Sequence, residues 1–410
     1  MSAIDLALDD GRRIEGVCAP EFSHVLNAFR DNLVDRREVG ASVCVRRANR
    51  TLVDLWGGWA CPGSEDTAPE PWHADSIAIV YSCTKGAAAL CLHHLVARGA
   101  VRYETRVADI WPAFAAGGKA ATTVGMMLCH TSPVPHLRDP IPPGALTDFD
   151  AMAARVAAEP AFWEPGTRQG YHALTFAWTV GQVVRIVSGR PLGRYFAEEI
   201  AGPLGLDFHI GLPEAQEARV APMIAPDRAE IDFGSRFFRS ATTEPGSLPN
   251  LFLFNQGGAD FNAREVHAAE IASANGITNA RGLAGMYAAL ASGGGGLVDG
   301  DTLARMGRVT AATMDDAVLL QPMRFAMGFM ASTDNRAGAG DSLLIGETAF
   351  GHVGMGGSVG FADPAAGIGF GYVMNRMGPG ILLNPRGQSL VDATYRSLGW
   401  SSNRSGAWRA

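Results

Sequence analysis

Lysine is almost missing from this chain: Lys85 and Lys119 are the only two, and every other fixed positive charge is arginine. A lysine kept in such a background is there for something arginine cannot do. The chain also has no run of basic residues, and its formal charge of −7 excludes the electrostatic footprint of a nucleic-acid binder. Six cysteines occur without a C-x-x-C pair, which excludes a disulfide framework and a cysteine zinc site. Cys44 and Cys91 lie in apolar runs and read as buried thiols. No H-E-x-x-H is present, and His93 and His94 are adjacent on one helix, so no metal site is expected. No apolar run approaches the ~18 residues of a membrane span, and "MSAIDLALDDGRRIEG" lacks the basic-then-apolar pattern of a secretory leader. The expected compartment is the cytoplasm.

What remains is a globular balance, 47% apolar and 18% charged, over 410 residues, enough for two packed subdomains. Phe22, Val25, Leu26, Phe29 and Leu33 mark an amphipathic helix. "ASVCVRR" and "TLVDLWGG" read as two strands around a polar turn. Residues 100 to about 310 hold mainly helical pieces, clearest in "FAWTVGQVVRIVSG" and "ARGLAGMYAALASGGGG", each closed by glycine. A loop-rich stretch at roughly 221–262 reads as either a pocket wall or a surface wrap, with 248–257 a candidate lining of the acyl pocket. Beyond 320, "FAMGFMAS", "FGHVGMGGSVGFADP" and "GIGFGYVMNR" read as antiparallel strands, followed by a last helix at 387–398. Residues 1–100 and 311–410 should therefore build one α+β sheet domain, with 101–310 a mainly helical subdomain.

Within "IVYSCTKGAAALCLHHLVARG", residues 79–99, Ser82 precedes Lys85 by three positions at the opening of an almost wholly apolar helix. Residues three apart share a helix face, so the hydroxyl and the amine are neighbours. The helix N-terminus carries partial positive charge, which favours an oxyanion and disfavours an ammonium. A neutral amine beside a serine hydroxyl is a nucleophile with its base, a role arginine cannot fill. With two lysines, a chance Ser-x-x-Lys is expected only ~0.1 times per chain.

Such a pair needs a further proton carrier and an oxyanion donor. "WEPGTRQGYHALTFAW" offers Tyr171 between a turn and a helix. "FGHVGMGGSVG" is glycine-dense within a strand, a mark of close backbone approach, and carries His352 and Gly354.

Together, Ser82-Cys83-Thr84-Lys85, Tyr171 and His352-Val353-Gly354 resemble the three motifs of the class C β-lactamase and penicillin-binding-protein superfamily in order and spacing. "LCHTSPVPHL" is similar to its "LL-HTSGL" segment, with Pro133 where glycine is usual, and "ANGITNARGLAGMYAALASGG" resembles another recurring segment. The resemblance covers most of residues 20–400. Two departures stand out. Tyr-x-Asn is replaced by Tyr171-His172-Ala173, and Lys-Thr-Gly by His352-Val353-Gly354. The lost amide and cation help hold a β-lactam, so the chain is more similar to the family VIII carboxylesterases. That resemblance implies a serine β-lactamase-like fold, with an antiparallel sheet flanked by terminal helices plus a helical subdomain. It implies hydrolysis of short- to medium-chain esters, with Ser82 as nucleophile, Lys85 as base and Tyr171 as proton relay. The oxyanion would be held by the N–H groups of Ser82 and Met355, with His352 and Gly354 beside it. No cofactor is implied, and the partner is a small ester, with homo-oligomerisation left open. Cleavage of β-lactams or D-amino-acid amides, or acyl transfer, are the alternatives on the same site.

Gly356-Gly-Ser-Val-Gly360 formally matches the G-x-S-x-G elbow of another hydrolase fold. That elbow needs a helix after the serine and a later histidine. A strand follows Ser358 instead, and no histidine lies beyond His352. Ser358 is not expected to be a nucleophile.

Overall fold

Gly40–Arg47 and Arg50–Cys61 pair as the antiparallel hairpin expected from their sequence and sit near the centre of a sheet built from both ends of the chain. The computed structural model describes residues 1–64, 66–338, 341–401 and 403–410. From one edge the strands run Ser2–Ala7, Arg13–Cys18, Arg50–Cys61, Gly40–Arg47 and Ile368–Met374. They continue through Val359–Asp363, Phe350–Val353, Met330–Ala331, Met323–Phe325 and Ala311–Thr313. Neighbours along this path are antiparallel, as an α+β sheet requires.

Side chains alternate across the central strands and so face two different helical layers. Val43 and Val45 join the main core, where Tyr372, opposite Val43, bonds to Glu38 near the terminal helices Ser23–Asp35 and Pro385–Ser397. Those two helices pack on each other, and Arg386 pairs with the buried Glu38 at 3.2 Å. Cys44 instead meets Ala280 and Ala284 of the helix Ala280–Ala291. The approach there is close: a Cβ on Gly369 would lie 2.2 Å from the Ala288 nitrogen.

This helix corrects the subdomain boundaries. The sequence places 280–291 in the helical subdomain, whereas the structure lays it on the sheet, after Ile277–Thr278 has paired with Ala78–Ile79 and Phe208–His209. At the other boundary, the helix Thr84–Ala97 packs against Phe176–Ser188, in the helical layer. Helical period identifies an element but not the layer that covers it. Two further differences are local. The N-terminal strands pass unread because their charged residues, Asp5, Arg13 and Glu15, blur the alternation. Leu248–Phe254, within the loop-rich stretch, is a helix capped by Ser247, whose hydroxyl accepts from the Asn250 N–H at 3.2 Å.

Candidate active site

Ser82 lies in the turn that opens the helix Thr84–Ala97, between the sheet and the helical layer. The turn is tight: Lys85 N–H bonds to Ser82 O at 3.0 Å and Thr84 N–H to Tyr81 O at 2.9 Å. Tyr81, immediately before the serine, has φ 42°, a left-handed conformation that a bulky side chain adopts only when its surroundings enforce it. The Thr84 hydroxyl donates to Tyr81 O at 2.5 Å and accepts from the Gly276 N–H at 2.8 Å, tying the turn to the 273–276 segment. Ser82 is half-buried, and every residue from Thr84 to Leu95 is buried.

Lys85 has no exposed surface. Its Nζ lies 3.0 Å from Ser82 Oγ, 2.8 Å from Ala173 O and 2.9 Å from Ser273 O. Among the described residues no carboxylate pairs with it. An ammonium there would stand dry beside neutral partners, so burial holds the Lys85 pKa well below the ordinary lysine value. A neutral amine has two N–H donors and one lone pair, which matches two carbonyls and one hydroxyl. The sequence argument attributes the shift to the helix end; in the structure, burial dominates.

Tyr171 is also buried; burial pushes its pKa upward, and the nearby Ser82 hydroxyl works the other way. Lys85 Nζ is 4.9 Å from the centre of its ring. The ring stacks on Phe325, centroids 5.9 Å apart, and lies 5.0 Å from His130 and 6.1 Å from His352. The "LCHTSPVPHL" segment holds the Tyr171 turn: His130 Nδ1 accepts the His172 N–H at 3.1 Å, and His130 O accepts the Gly170 N–H at 3.1 Å. From the other side, the buried Asp316 carboxylate accepts the N–H groups of Tyr171 at 3.1 Å and of Val318 and Leu319 at 2.9 Å.

The strand Phe350–Val353 closes the site. A Cβ on Gly354 would lie 2.2 Å from Val80 O, so only glycine lets this strand end against the Ser82 turn. The Gly354 N–H is given to Ser358 O at 2.7 Å, so Gly354 contributes closeness and not a donor. Cys83 Sγ joins the two elements, donating to His352 O at 3.2 Å and Ser358 O at 3.4 Å. Among the described residues, the N–H groups of Ser82 and Met355 have no acceptor. His352 Nδ1 is used on Val353 O at 2.7 Å, and burial pushes its pKa down to about 3, so it is uncharged at neutral pH. Ser358 is buried and precedes the strand Val359–Asp363, not a helix.

Ser82, Lys85, Tyr171, His352, Gly354 and Met355 therefore converge, although they come from three distant parts of the chain. Sequence reasoning missed the backbone carbonyls of Ala173 and Ser273, which no side-chain pattern reveals, and Asp316, which lies in no motif. Ala173 stands where the superfamily motif has an amide, and it gives Lys85 a main-chain carbonyl. Among the described residues, no three His, Cys, Asp or Glu side chains gather as a metal site, and no helix is long and apolar enough to cross a membrane.

A serine and a lysine at the start of a buried helix, a tyrosine from a helical layer and an antiparallel sheet beside them define a serine-hydrolase type of site. The chain belongs to the beta-lactamase family, whose pattern it matches over residues 25–391. It is 36% identical over 384 residues to the esterase/beta-lactamase LipL of Mycobacterium tuberculosis, covering 90% of this chain and 84% of that protein. Among solved structures it is similar to a family VIII carboxylesterase, at 38% identity and TM-score 0.79, covering 94% of this chain and 99% of the other. A penicillin-binding-protein homologue from Caulobacter crescentus matches at 34% identity and TM-score 0.83, with the same coverages.

Proposed function

We infer that this protein is a serine hydrolase of carboxylic esters, working through an acyl-enzyme on Ser82. The observation that carries this reading is the set of partners around Lys85 Nζ, two carbonyls and the Ser82 hydroxyl without a carboxylate, which suits a neutral amine. Lys85 takes the proton as Ser82 Oγ attacks the ester carbonyl carbon. The oxyanion forms between the N–H groups of Ser82 and Met355; such a donor contributes ~3 kcal/mol of transition-state stabilisation. As the C–O bond to the alcohol breaks, Tyr171 gives its proton to the leaving oxygen and is reprotonated from the Lys85 ammonium. Its raised pKa keeps the phenol protonated at neutral pH, so a proton is at hand when the leaving oxygen needs one. Water then enters in place of the alcohol, and the same groups run in reverse to release the acid and restore Ser82.

Esters are favoured over β-lactams by His352. It stands where the superfamily motif has a lysine, and it is neutral, so this strand offers no cation to a β-lactam carboxylate. Six free thiols suit a reducing compartment such as the cytoplasm. The test is Ser82→Ala assayed on p-nitrophenyl acetate. Turnover should fall at least ~10³-fold with the melting temperature unchanged, and a fluorophosphonate should label Ser82 in the wild-type protein. Near-wild-type turnover by the variant would remove Ser82 from the mechanism.

A further inference from the structure

The two groups that flank Ser82 are each tied by hydrogen bonds to the wall of a single cavity of about 670 Å³. On the phenol side, Asp316 binds the N–H of Tyr171 and also that of Leu319, and Leu319 lines the cavity. On the oxyanion side, the Asn384 side chain, also in the lining, donates to Gly356 O at 2.7 Å, one residue past Met355. We propose that this cavity receives a bulky, uncharged, apolar group of the ester. The proposal rests on Ser82 being the nucleophile.

Size and lining both point to that class of substrate. The volume is that of a pocket for a drug-sized molecule. Phe237, Phe238, Leu319 and Ile381 are among its lining residues. The mouth is apolar as well: Met314 is 81% exposed, and Phe233, 45% exposed, packs on Phe238 with ring centroids 5.7 Å apart. The lining offers an anion nothing to bind. Glu230, Asp232, Asp334 and Asp341 line the cavity, and Arg236 is the one cation among its described lining residues. Arg236 is already taken by Asp315 at 2.7 Å. The carboxylates are also engaged, Glu230 by Arg37 and Arg376, Asp334 by Arg336, and Asp232 and Asp341 by the N–H groups of Gly234 and Ile381. A free carboxylate on the substrate would find no unpaired cation among the described lining residues.

This places the pocket elsewhere than the sequence suggests. Residues 230–238 form part of its wall, whereas Leu248 and Pro249 border a separate cavity beside Arg168 and Arg239. Phe254 points outward, 62% exposed.

The test reads the ratio of kcat/KM for a bulky ester to that for p-nitrophenyl acetate, which does not depend on the folded fraction of a variant. The bulky substrates are p-nitrophenyl cyclohexanecarboxylate for the acyl side and menthyl acetate for the alcohol side. Ile381→Trp, which fills the cavity, should lower the ratio at least ~10-fold in one of the two arms, the penalty of a misfit apolar pocket. Phe238→Ala, which enlarges it, should raise the ratio in the same arm. Mono-p-nitrophenyl adipate should be a poorer substrate than its methyl ester by a similar factor. Unchanged ratios in both variants, or equal turnover of the acid and its methyl ester, would overturn the proposal. If the wild-type protein left p-nitrophenyl acetate uncleaved, the esterase reading itself would fall instead.

Discussion

The chain buries both of its lysines, and the two burials differ in one partner. Lys119 donates to Ala116 O and Glu159 O, both at 2.5 Å, and stands over the Phe114 ring. Lys85 likewise donates to two carbonyls. For both, burial lowers the pKa, but the negative charge of Glu159 works the other way for Lys119 and keeps it the better ammonium. Lys85 has no such counter-charge and has Ser82 Oγ as its third neighbour. Dryness beside a carboxylate thus suits a structural clamp; dryness without one, beside a hydroxyl, suits the base we propose.

The sharpest way to break this contrast is Lys85→Arg. A guanidinium supplies donors but brings a fixed charge and cannot release a proton near neutrality. General-base catalysis contributes up to ~10⁴-fold, so kcat on p-nitrophenyl acetate should fall by about 10³-fold or more. An arginine variant within tenfold of wild type would show that the neutral amine is not needed.

How much of this was legible beforehand depends on what each residue uses. Ser82, Lys85 and Tyr171 bring side chains together at motif spacing, so the sequence points to them directly. Gly354 was legible as close approach, and the structure identifies Val80 O as the neighbour it approaches. Ala173 and Ser273 act through carbonyls, which every residue has, so nothing in their identity marks them. Asp316 carries no motif because its carboxylate caps main-chain N–H groups. The sheet's strands after 320 read well from alternation and glycine turns. The layer that helix 280–291 joins did not, because small residues on one face suit any close partner.

The dryness that neutralises Lys85 should also show in the protein's response to acid. His172 is buried beside the same site, with its Nδ1 on Gly170 O at 2.7 Å, and burial pushes its pKa down from 6.5 to about 4. Between pH 6.5 and about 4 the unfolded chain binds a proton at this residue that the folded chain refuses. Acid therefore favours unfolding across that window, and the stability returns as pH rises. His172→Asn keeps a donor for Gly170 O and removes the titration. The stability difference between variant and wild type should shift by about 3 kcal/mol in favour of the variant from pH 7 to pH 4, up to ~1.4 kcal/mol per pH unit. Parallel urea-midpoint profiles over that range would show that His172 protonates freely in the fold.

The smallest expected effect tests the other half of the comparison. Lys119→Met fills the same space with an apolar chain and leaves Ala116 O and Glu159 O without their donor. Each buried acceptor left bare costs on the order of 1–3 kcal/mol, partly recovered where a carbonyl reaches water. The variant should lose about 2 kcal/mol of stability, read as a lower urea midpoint with unchanged slope. Its kcat/KM on p-nitrophenyl acetate should stay within about twofold of wild type, because Lys119 touches neither Ser82 nor the elements that hold it. A large loss of activity at unchanged stability would mean that the two lysines are not, after all, one clamp and one base.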